Sequence, residues 1–202
     1  MFNIAVFASG KGSNFKSVFE KVSEEKIRIC ALVSDNEKCG AVQFALEMEI
    51  PVFLVSSKNQ TGFFSYNELI IQLKKIEVDL IVLAGFLKII PENFVDEFEN
   101  RIINIHPALL PSFGGKGMYG ENVHKAVFES SVKVSGATVH LVDKIFDHGK
   151  IIAQRVVDIS DVKDPEEIAE RVLKIEHELL PYVVEKFADQ KIVINQNRVL
   201  IT

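Results

Sequence analysis

Short unbroken runs of hydrophobic residues alternate along the chain with segments in which such residues recur at helical spacing. The first apolar run covers residues 3–8, and after a glycine-rich turn the helical spacing begins at Phe15 and continues to Val22. The same alternation predicts strands at 27–34, 51–55, 79–84 and 102–105 and helices at 39–49, 66–76 and 91–98. Because strands that are buried on both faces appear as continuous apolar runs, the pattern predicts a parallel sheet covered by helices.

The second half of the chain differs in composition. Residues 107–121 contain two prolines and four glycines, which is typical of an ordered functional loop or a mobile lid. Apolar runs at 137–142 and 150–158, joined by the loop 143–149, predict an antiparallel pair that extends the sheet.

The C-terminal part combines a long helix with a short hairpin. Asp164 followed by Pro165 is typical of a capped helix start, and residues 191–201 predict the hairpin. We therefore expect an α/β protein with a single doubly wound, mostly parallel sheet, helices on both faces and an antiparallel C-terminal extension.

Length, composition and charge narrow the protein class. The 202 residues, of which 48% are hydrophobic and 25% charged, fit one large globular domain and exclude disorder and coiled coils. A net charge of -5 argues against nucleic acid or an anionic membrane as the main partner. The apolar runs are too short to span a bilayer and no signal peptide is visible, so we expect a cytoplasmic protein.

The turn after the first strand, Gly10-Lys-Gly-Ser-Asn14, suits an anion such as phosphate, because its backbone N–H groups lie at a helix N-terminus. A dinucleotide fingerprint would need a third glycine where Phe15 stands, although Asp35 after the second strand keeps an NAD site open. No P-loop motif occurs. A monophosphate site with Ser13 and Asn14 as donors fits best, and a tight turn with a helix cap is the alternative.

Polar side chains at the end of the fifth predicted strand, 102–105, are candidates for chemistry. Asn104 and His106 are two apart on an extended segment and so leave the same face, at the strand end where open α/β sheets bind ligands. An amide donor and a titratable donor are what a developing oxyanion needs, although both residues could be purely structural. A carboxylate from the 143–149 loop would complete the group, and the spacing leaves Asp143 and Asp147 as alternatives.

Other catalytic chemistries lack the necessary residues. The chain has no G-x-S-x-G elbow, and Cys30 and Cys39 fit neither a disulfide framework nor a zinc site nor a covalent nucleophile. The five histidines show no metal-ligand spacing, and we expect no metal; they are His106, His124, His140, His148 and His177.

Four segments together resemble the phosphoribosylglycinamide formyltransferases, a family of folate-dependent enzymes of purine synthesis. They are Ala8-Ser-Gly-Lys-Gly-Ser-Asn14, Leu83-Ala-Gly-Phe-Leu-Lys-Ile-Ile90, Asn104-Ile-His-Pro-Ala-Leu-Leu-Pro111 and the loop that holds Asp147. The resemblance covers essentially the whole chain. It implies one domain over 1–202, with a nucleotide-binding half at 1–110 and a folate-loop and C-terminal half at 111–202.

The resemblance also implies roles for individual residues. Asn104, His106 and Asp147 would be catalytic. The ribonucleotide would be held by Gly12, Ser13, Asn14, Leu173 and Glu176. The folate pocket would be lined by Leu87, Lys88, Ile89, Ile90, Asn104, Asp143, Lys144, Ile145, Phe146 and Asp147. Without the resemblance, 87–90 would be an apolar turn and Glu176 a solvated helix position.

The chain departs from the common family pattern in a few places. Family members often have Gln near Leu173, Arg in place of Lys88, and an Arg before the helix that begins near Tyr66. These differences concern contacts to the ligands and leave the chemistry unchanged.

The implied activity is transfer of a formyl group from 10-formyltetrahydrofolate to the amine of 5-phosphoribosylglycinamide, with small-molecule substrates, no nucleic acid and no membrane partner. The alternatives are a formyltetrahydrofolate hydrolase, another formyltransferase, and a non-catalytic nucleotide-binding module in which Asn104 and His106 are structural.

Overall fold

A computed structural model describes all 202 residues. The elements are β1 (Phe2–Phe7), α1 (Ser13–Lys21), β2 (Ile27–Ser34), α2 (Gly40–Glu47), β3 (Val52–Leu54), α3 (Tyr66–Lys75), β4 (Leu80–Leu83), α4 (Glu92–Glu97), β5 (Ile102–His106), α5 (Glu121–Glu129), β6 (Val134–Leu141), β7 (Ile151–Asp158), α6 (Pro165–Ala188), β8 (Ile192–Ile194) and β9 (Val199–Ile201).

Seven strands form one sheet in the order β3-β2-β1-β4-β5-β6-β7. β1 pairs in parallel with β2 and β4, β2 pairs in parallel with β3, and β6 and β7 are antiparallel. A separate antiparallel hairpin, β8-β9, follows the last helix. The predicted mostly parallel α/β sheet with an antiparallel C-terminal extension is therefore confirmed. Its strand order reverses between β1 and β4, and the carboxyl ends of strands near such a point are where ligands bind in this class of fold.

The chain divides into two compact units, Met1–Ile103 and Asn104–Thr202. The boundary lies within β5, near the predicted division at residue 110; the assignment of 1–202 to one domain stays a prediction. The core of the first unit contains a cluster of aromatic rings. Phe94 is fully buried, and its ring packs against Phe7, Tyr66 and Phe98 with centroid distances of 5.9, 5.8 and 5.0 Å.

The second unit is built around α6, which packs on β6 and β7. The helix begins as predicted: the Asp164 side chain accepts a hydrogen bond from the Glu167 N–H at 2.9 Å, and Pro165 occupies the first turn, where its missing N–H is not needed. The buried face of α6 contains Ile168, Val172, Leu179 and Val183, which recur at helical spacing.

Helix α5 is absent from the prediction made from sequence. Its only buried residues are Val123, His124 and Val127, and this short apolar stripe follows a loop that is rich in glycine. β6 also begins at Val134, three positions before the predicted start at 137. The prediction missed these residues because they include the exposed Val134 and the small Gly136, which interrupt the apolar run.

Gly149 closes the loop between β6 and β7, and we expect Gly149→Ala to destabilise the protein. A Cβ atom at this position would collide with the Leu141 carbonyl oxygen, so the backbone would have to shift at a cost of about 1–3 kcal/mol. Urea unfolding measures the loss. Gly10→Ala is the control, because no heavy atom lies within 4 Å of its added Cβ, and it should change stability by no more than about 0.5 kcal/mol. Equal losses in the two variants would contradict the steric explanation.

Candidate active site

Strand β5 presents Asn104 and His106 on one face at its carboxyl end, as the period of two predicts. The Asn104 amide nitrogen lies 3.1 Å from Nε2 of His140 on β6. The His106 ring is buried, and its Nε2 lies 2.8 Å from the backbone carbonyl oxygen of Phe113. A carbonyl oxygen only accepts, so the proton of a neutral His106 ring is on Nε2.

Asp147 is the carboxylate that joins these side chains. Its Oδ2 lies 3.7 Å from His106 Nδ1 and accepts a hydrogen bond from the Gly115 N–H at 2.9 Å. Its Oδ1 lies 3.6 Å from His140 Nε2. Asp147 therefore contacts both histidines of the β5-β6 pair.

Asp143, the alternative carboxylate, has other partners. It accepts a hydrogen bond from the Ile145 N–H at 2.8 Å, and it lies 3.4 Å from Nδ1 of the exposed His148. The geometry therefore favours Asp147 over Asp143 as the acidic member of the group.

Burial sets the electrostatics of the site. It lowers the pKa of His106, and the Asp147 carboxylate and the Phe113 carbonyl oppose this effect without overcoming it. Burial alone would raise the pKa of Asp147, but His140, the charge on His106 and the Gly115 N–H together bring that pKa below its usual value. At neutral pH the free protein therefore holds a carboxylate next to a neutral imidazole.

The segment that follows His106 is fixed by two polar residues that the sequence analysis did not single out. The Thr138 hydroxyl donates to the Ala108 carbonyl at 2.6 Å and accepts from the Leu110 N–H at 3.1 Å. The Gln154 amide donates to the Leu110 carbonyl at 2.9 Å and to the Thr138 hydroxyl at 3.0 Å. These bonds hold the backbone just after the histidine in one position.

In the first unit, the glycine-rich turn leads directly into α1. Gly12 caps the helix with φ of 77°, and α1 has no acidic residue in its first turn that would oppose an anion. A Cβ atom on Gly12 would lie 2.8 Å from the Ala41 Cα atom. The backbone thus requires glycine here for steric reasons, whether or not an anion binds.

The loop after β4 is anchored to the end of β1. The Ser9 N–H donates to the Gly85 carbonyl at 3.1 Å, and the Ser9 hydroxyl accepts from the Leu87 N–H at 2.9 Å. Lys88 Nζ lies 3.4 Å from Asp35 Oδ2, so the carboxylate that kept an NAD site open has a cationic partner within the protein.

The side chains predicted to line a folate pocket are largely exposed. Leu87 and Ile89 in the first unit are 55% and 66% exposed, and Ile145 and Phe146 in the second are 61% and 50% exposed. In each unit, the loop thus leaves two large apolar side chains open to solvent.

Glu176 differs from its bottom-up interpretation. Without the family resemblance, Glu176 is expected to be solvated. This prediction is wrong, because Glu176 on α6 is only 6% exposed. Three apolar neighbours along the helix, Val172, Leu179 and Leu180, are also buried, so Glu176 lies on the core-facing side of α6. Leu173 is 36% exposed. Because burial of a carboxylate costs free energy, Glu176 is not an ordinary surface residue.

The structure contains no group of three or more His, Cys, Asp or Glu side chains that could hold a metal ion. None of its helices has the length and apolar character needed to cross a membrane.

Comparison with known proteins identifies the family. The formyl transferase family model matches residues 2–184. The chain belongs to this family. A phosphoribosylglycinamide formyltransferase of Bacillus subtilis is 38% identical over 189 residues, which cover 92% of this chain and 94% of that protein. The predicted resemblance is confirmed, and membership in the formyl transferase family implies a formyl donor.

Further members of the family agree with this assignment. The chloroplastic phosphoribosylglycinamide formyltransferase of Vigna unguiculata is 45% identical over 193 residues, which cover 94% of this chain and 62% of that protein. This chain thus spans less than two thirds of that relative's length. The crystal structure of the Anaplasma phagocytophilum phosphoribosylglycinamide formyltransferase superposes with a TM-score of 0.90 at 33% identity and covers 100% of this chain and 94% of that one.

We expect Asp147→Asn to lower the pKa of His106 further, because Asp147 is the main group that opposes the effect of burial on this histidine. An NMR titration of the imidazole resonances measures the shift. Asp143→Asn is the matched control, since Asp143 lies beside His148 instead, and it should leave the His106 titration unchanged. A comparable downward shift in both variants would contradict the assignment of Asp147 as the partner of His106.

Proposed function

We propose that the protein transfers a formyl group from 10-formyltetrahydrofolate to the amine of 5-phosphoribosylglycinamide, a step of purine biosynthesis. The observation that carries this proposal is the arrangement of Asn104, His106 and Asp147, which brings an amide donor, an imidazole and a carboxylate together at the end of β5. The near full-length similarity to the Bacillus subtilis enzyme supports the choice of acceptor.

In the proposed reaction the acceptor amine attacks the formyl carbon, and a tetrahedral intermediate with a negatively charged oxygen forms. Asn104 and His106 donate hydrogen bonds to that oxygen, each worth on the order of a hundredfold or more in rate. The amine loses one proton to the Asp147 carboxylate, directly or through water, and this proton passes to His106, whose charged form Asp147 then stabilises. The bond between the formyl carbon and the folate nitrogen breaks as the charged His106 gives a proton to that nitrogen and returns to its neutral form.

The His106 donor is already engaged in the free protein, because its Nε2 proton faces the Phe113 carbonyl. Donation to the formyl oxygen therefore requires that the hydrogen bond between His106 Nε2–H and the Phe113 carbonyl break. Phe113 has a φ of 57° and lies in the glycine-rich segment 112–120, in which Gly115 and Gly117 also have positive φ values. Asp147 accepts a hydrogen bond from the Gly115 N–H of the same segment, so a change in the charge of Asp147 would change the strength of that bond.

The remaining proposed contacts are those that the family resemblance implies. The turn at Gly12, Ser13 and Asn14 binds the phosphate of the ribonucleotide through its N–H groups and side chains. Glu176 and Leu173 contact the rest of the ribonucleotide. The exposed apolar residues of the loops 87–90 and 143–147 bind the ring system of the folate.

The cytoplasmic location stays a prediction; the relatives from Vigna unguiculata and Arabidopsis thaliana are described as chloroplastic.

The experiment that tests the proposal measures tetrahydrofolate release from 10-formyltetrahydrofolate with and without 5-phosphoribosylglycinamide. We expect rapid release only with the ribonucleotide, together with accumulation of the formylated product, because a bound amine has an effective concentration that water lacks. A hydrolase remains the main competitor, since a formyltetrahydrofolate deformylase from Pseudomonas syringae shares the fold at a TM-score of 0.86 and 21% identity. Equally fast release without the ribonucleotide would establish the hydrolase.

The same assay tests the site itself. His106→Ala should lower turnover by about a hundredfold or more while the protein stays folded, since it removes one donor to the oxyanion. His148→Ala is the control, because this exposed histidine lies beside Asp143. Unchanged turnover in folded His106→Ala would overturn the assignment of the catalytic group.

The phosphate contact is tested with Ser13→Ala rather than a change at Gly12, whose substitution would strain the turn in any case. Loss of a hydroxyl donor to a charged phosphate should weaken ribonucleotide binding by roughly 10–100-fold. Calorimetry should show that binding of the formyl donor is unchanged. An equal loss for both ligands would indicate damage to the fold, and no loss for either would exclude Ser13 from the phosphate site.

A further inference from the structure

His140 is a buried histidine to which the proposed reaction assigns no role. It is 2% exposed and lies on β6, next to β5 in the sheet, and both the Asn104 amide nitrogen and the Asp147 carboxylate lie near its Nε2. It belongs to no group of metal-binding side chains. A buried polar side chain between two members of a reactive group needs a physical explanation.

The two ring nitrogens of His140 have different partners, and this difference fixes where the proton is. Nδ1 lies 2.8 Å from the Leu141 carbonyl oxygen, which can only accept a hydrogen bond. The proton of the neutral ring is therefore on Nδ1, and Nε2 has a lone pair. The Asn104 amide nitrogen, 3.1 Å away, donates to that lone pair.

This bond determines how the Asn104 carboxamide is turned. The amide nitrogen must face His140, because the amide oxygen would meet a second lone pair there. One Nδ2–H is used in the bond, and the other is left for a second acceptor. Without His140, rotation of the carboxamide by about 180° would exchange donor and acceptor at little cost, since this torsion is broad and roughly two-fold.

We propose that His140 is a positioning residue for the oxyanion donor: its Nε2 lone pair holds the Asn104 amide so that the remaining N–H is presented to the formyl oxygen. The inference rests on the proposed function and deepens it. His140 need not touch either substrate and acts through Asn104.

Asp147 is the competing partner of the same nitrogen. Its Oδ1 lies 3.6 Å from His140 Nε2, which is longer than a hydrogen bond, whereas the Asn104 contact is within hydrogen-bond distance. The lowering of the Asp147 pKa by His140 belongs to the form of the ring that has a proton on Nε2. A proton on Nε2 would reverse this preference, because the ring would then donate to Asp147 and oppose the Asn104 amide. The tautomer of His140 thus decides between the two roles.

The first experiment reads the tautomer in the wild-type protein without any assay of activity. In 15N-labelled protein, the imidazole nitrogen shifts of His140 should show a protonated Nδ1 and an unprotonated Nε2. A coupling across the hydrogen bond should connect Nε2 with the Asn104 side-chain nitrogen. A protonated Nε2 at neutral pH would overturn the proposal, whatever reaction the protein catalyses.

The second experiment compares two substitutions that separate the two nitrogens. A glutamine side chain reaches the place of Nε2 and can offer an acceptor oxygen there, whereas an asparagine reaches only the place of Nδ1. We expect His140→Gln to keep kcat within about threefold of wild type and His140→Asn to lower kcat tenfold or more, with little change in the KM of either substrate. Equal activity of the two variants would contradict the proposal.

A double-mutant cycle then identifies the residue through which His140 acts. In an Asn104→Ala background, His140→Asn should cause no further loss beyond about twofold, because the group that it positions is gone. In an Asp147→Ala background it should keep its full effect. The reverse result would assign His140 to Asp147, and full effects in both backgrounds would make it a structural residue. Absence of formyl transfer in the wild type would refute the proposed function and leave the nitrogen spectra as the test of the Asn104 bond.

Discussion

Three buried polar side chains of the β5-β6 pair are each constrained by a hydrogen bond to a backbone carbonyl, and this constraint organises the candidate site; the buried Ser135 hydroxyl on β6 has no such partner. His106, Thr138 and His140 are all nearly inaccessible to solvent. Each is satisfied by a backbone carbonyl, from Phe113, Ala108 and Leu141 respectively. An unsatisfied polar group at any of these positions would cost about 1–3 kcal/mol, so the side chains are held in single orientations.

The same constraint explains why the loops around the site have defined positions despite their glycine content. The segment after His106 is held by Thr138 and Gln154, and the loop that contains Asp147 is joined to Gly115 through the carboxylate itself. In the first unit, the Ser9 hydroxyl accepts a hydrogen bond from the Leu87 N–H and so holds the loop after β4. Side-chain to backbone bonds thus anchor the segments that carry the predicted ligand contacts.

Sequence patterns sufficed for the sheet and for part of the site. Continuous apolar runs locate the parallel strands, and a period of two places Asn104 and His106 on one face. The choice between Asp143 and Asp147 required coordinates, because four residues of loop can turn either carboxylate toward the strand end. His140 lies 36 positions from Asn104, and only the pairing of neighbouring strands makes them adjacent. Helix α5 and the burial of Glu176 were missed for a related reason: short helices and single buried charges are decided by tertiary packing.

In the proposed reaction, the bond between His106 and the Phe113 carbonyl affects whether the His106 donor contributes to substrate affinity or to turnover. Because Nε2 already has a neutral carbonyl partner, exchanging it for another neutral carbonyl, that of a bound formyl group, changes the free energy very little. The donor therefore adds almost nothing to ground-state affinity. Once negative charge develops on the formyl oxygen, the same N–H makes a charge-assisted bond that is about twice as strong. A donor that already has a hydrogen-bond partner within the protein discriminates between the transition state and the substrate. Its contribution therefore appears in kcat rather than in KM.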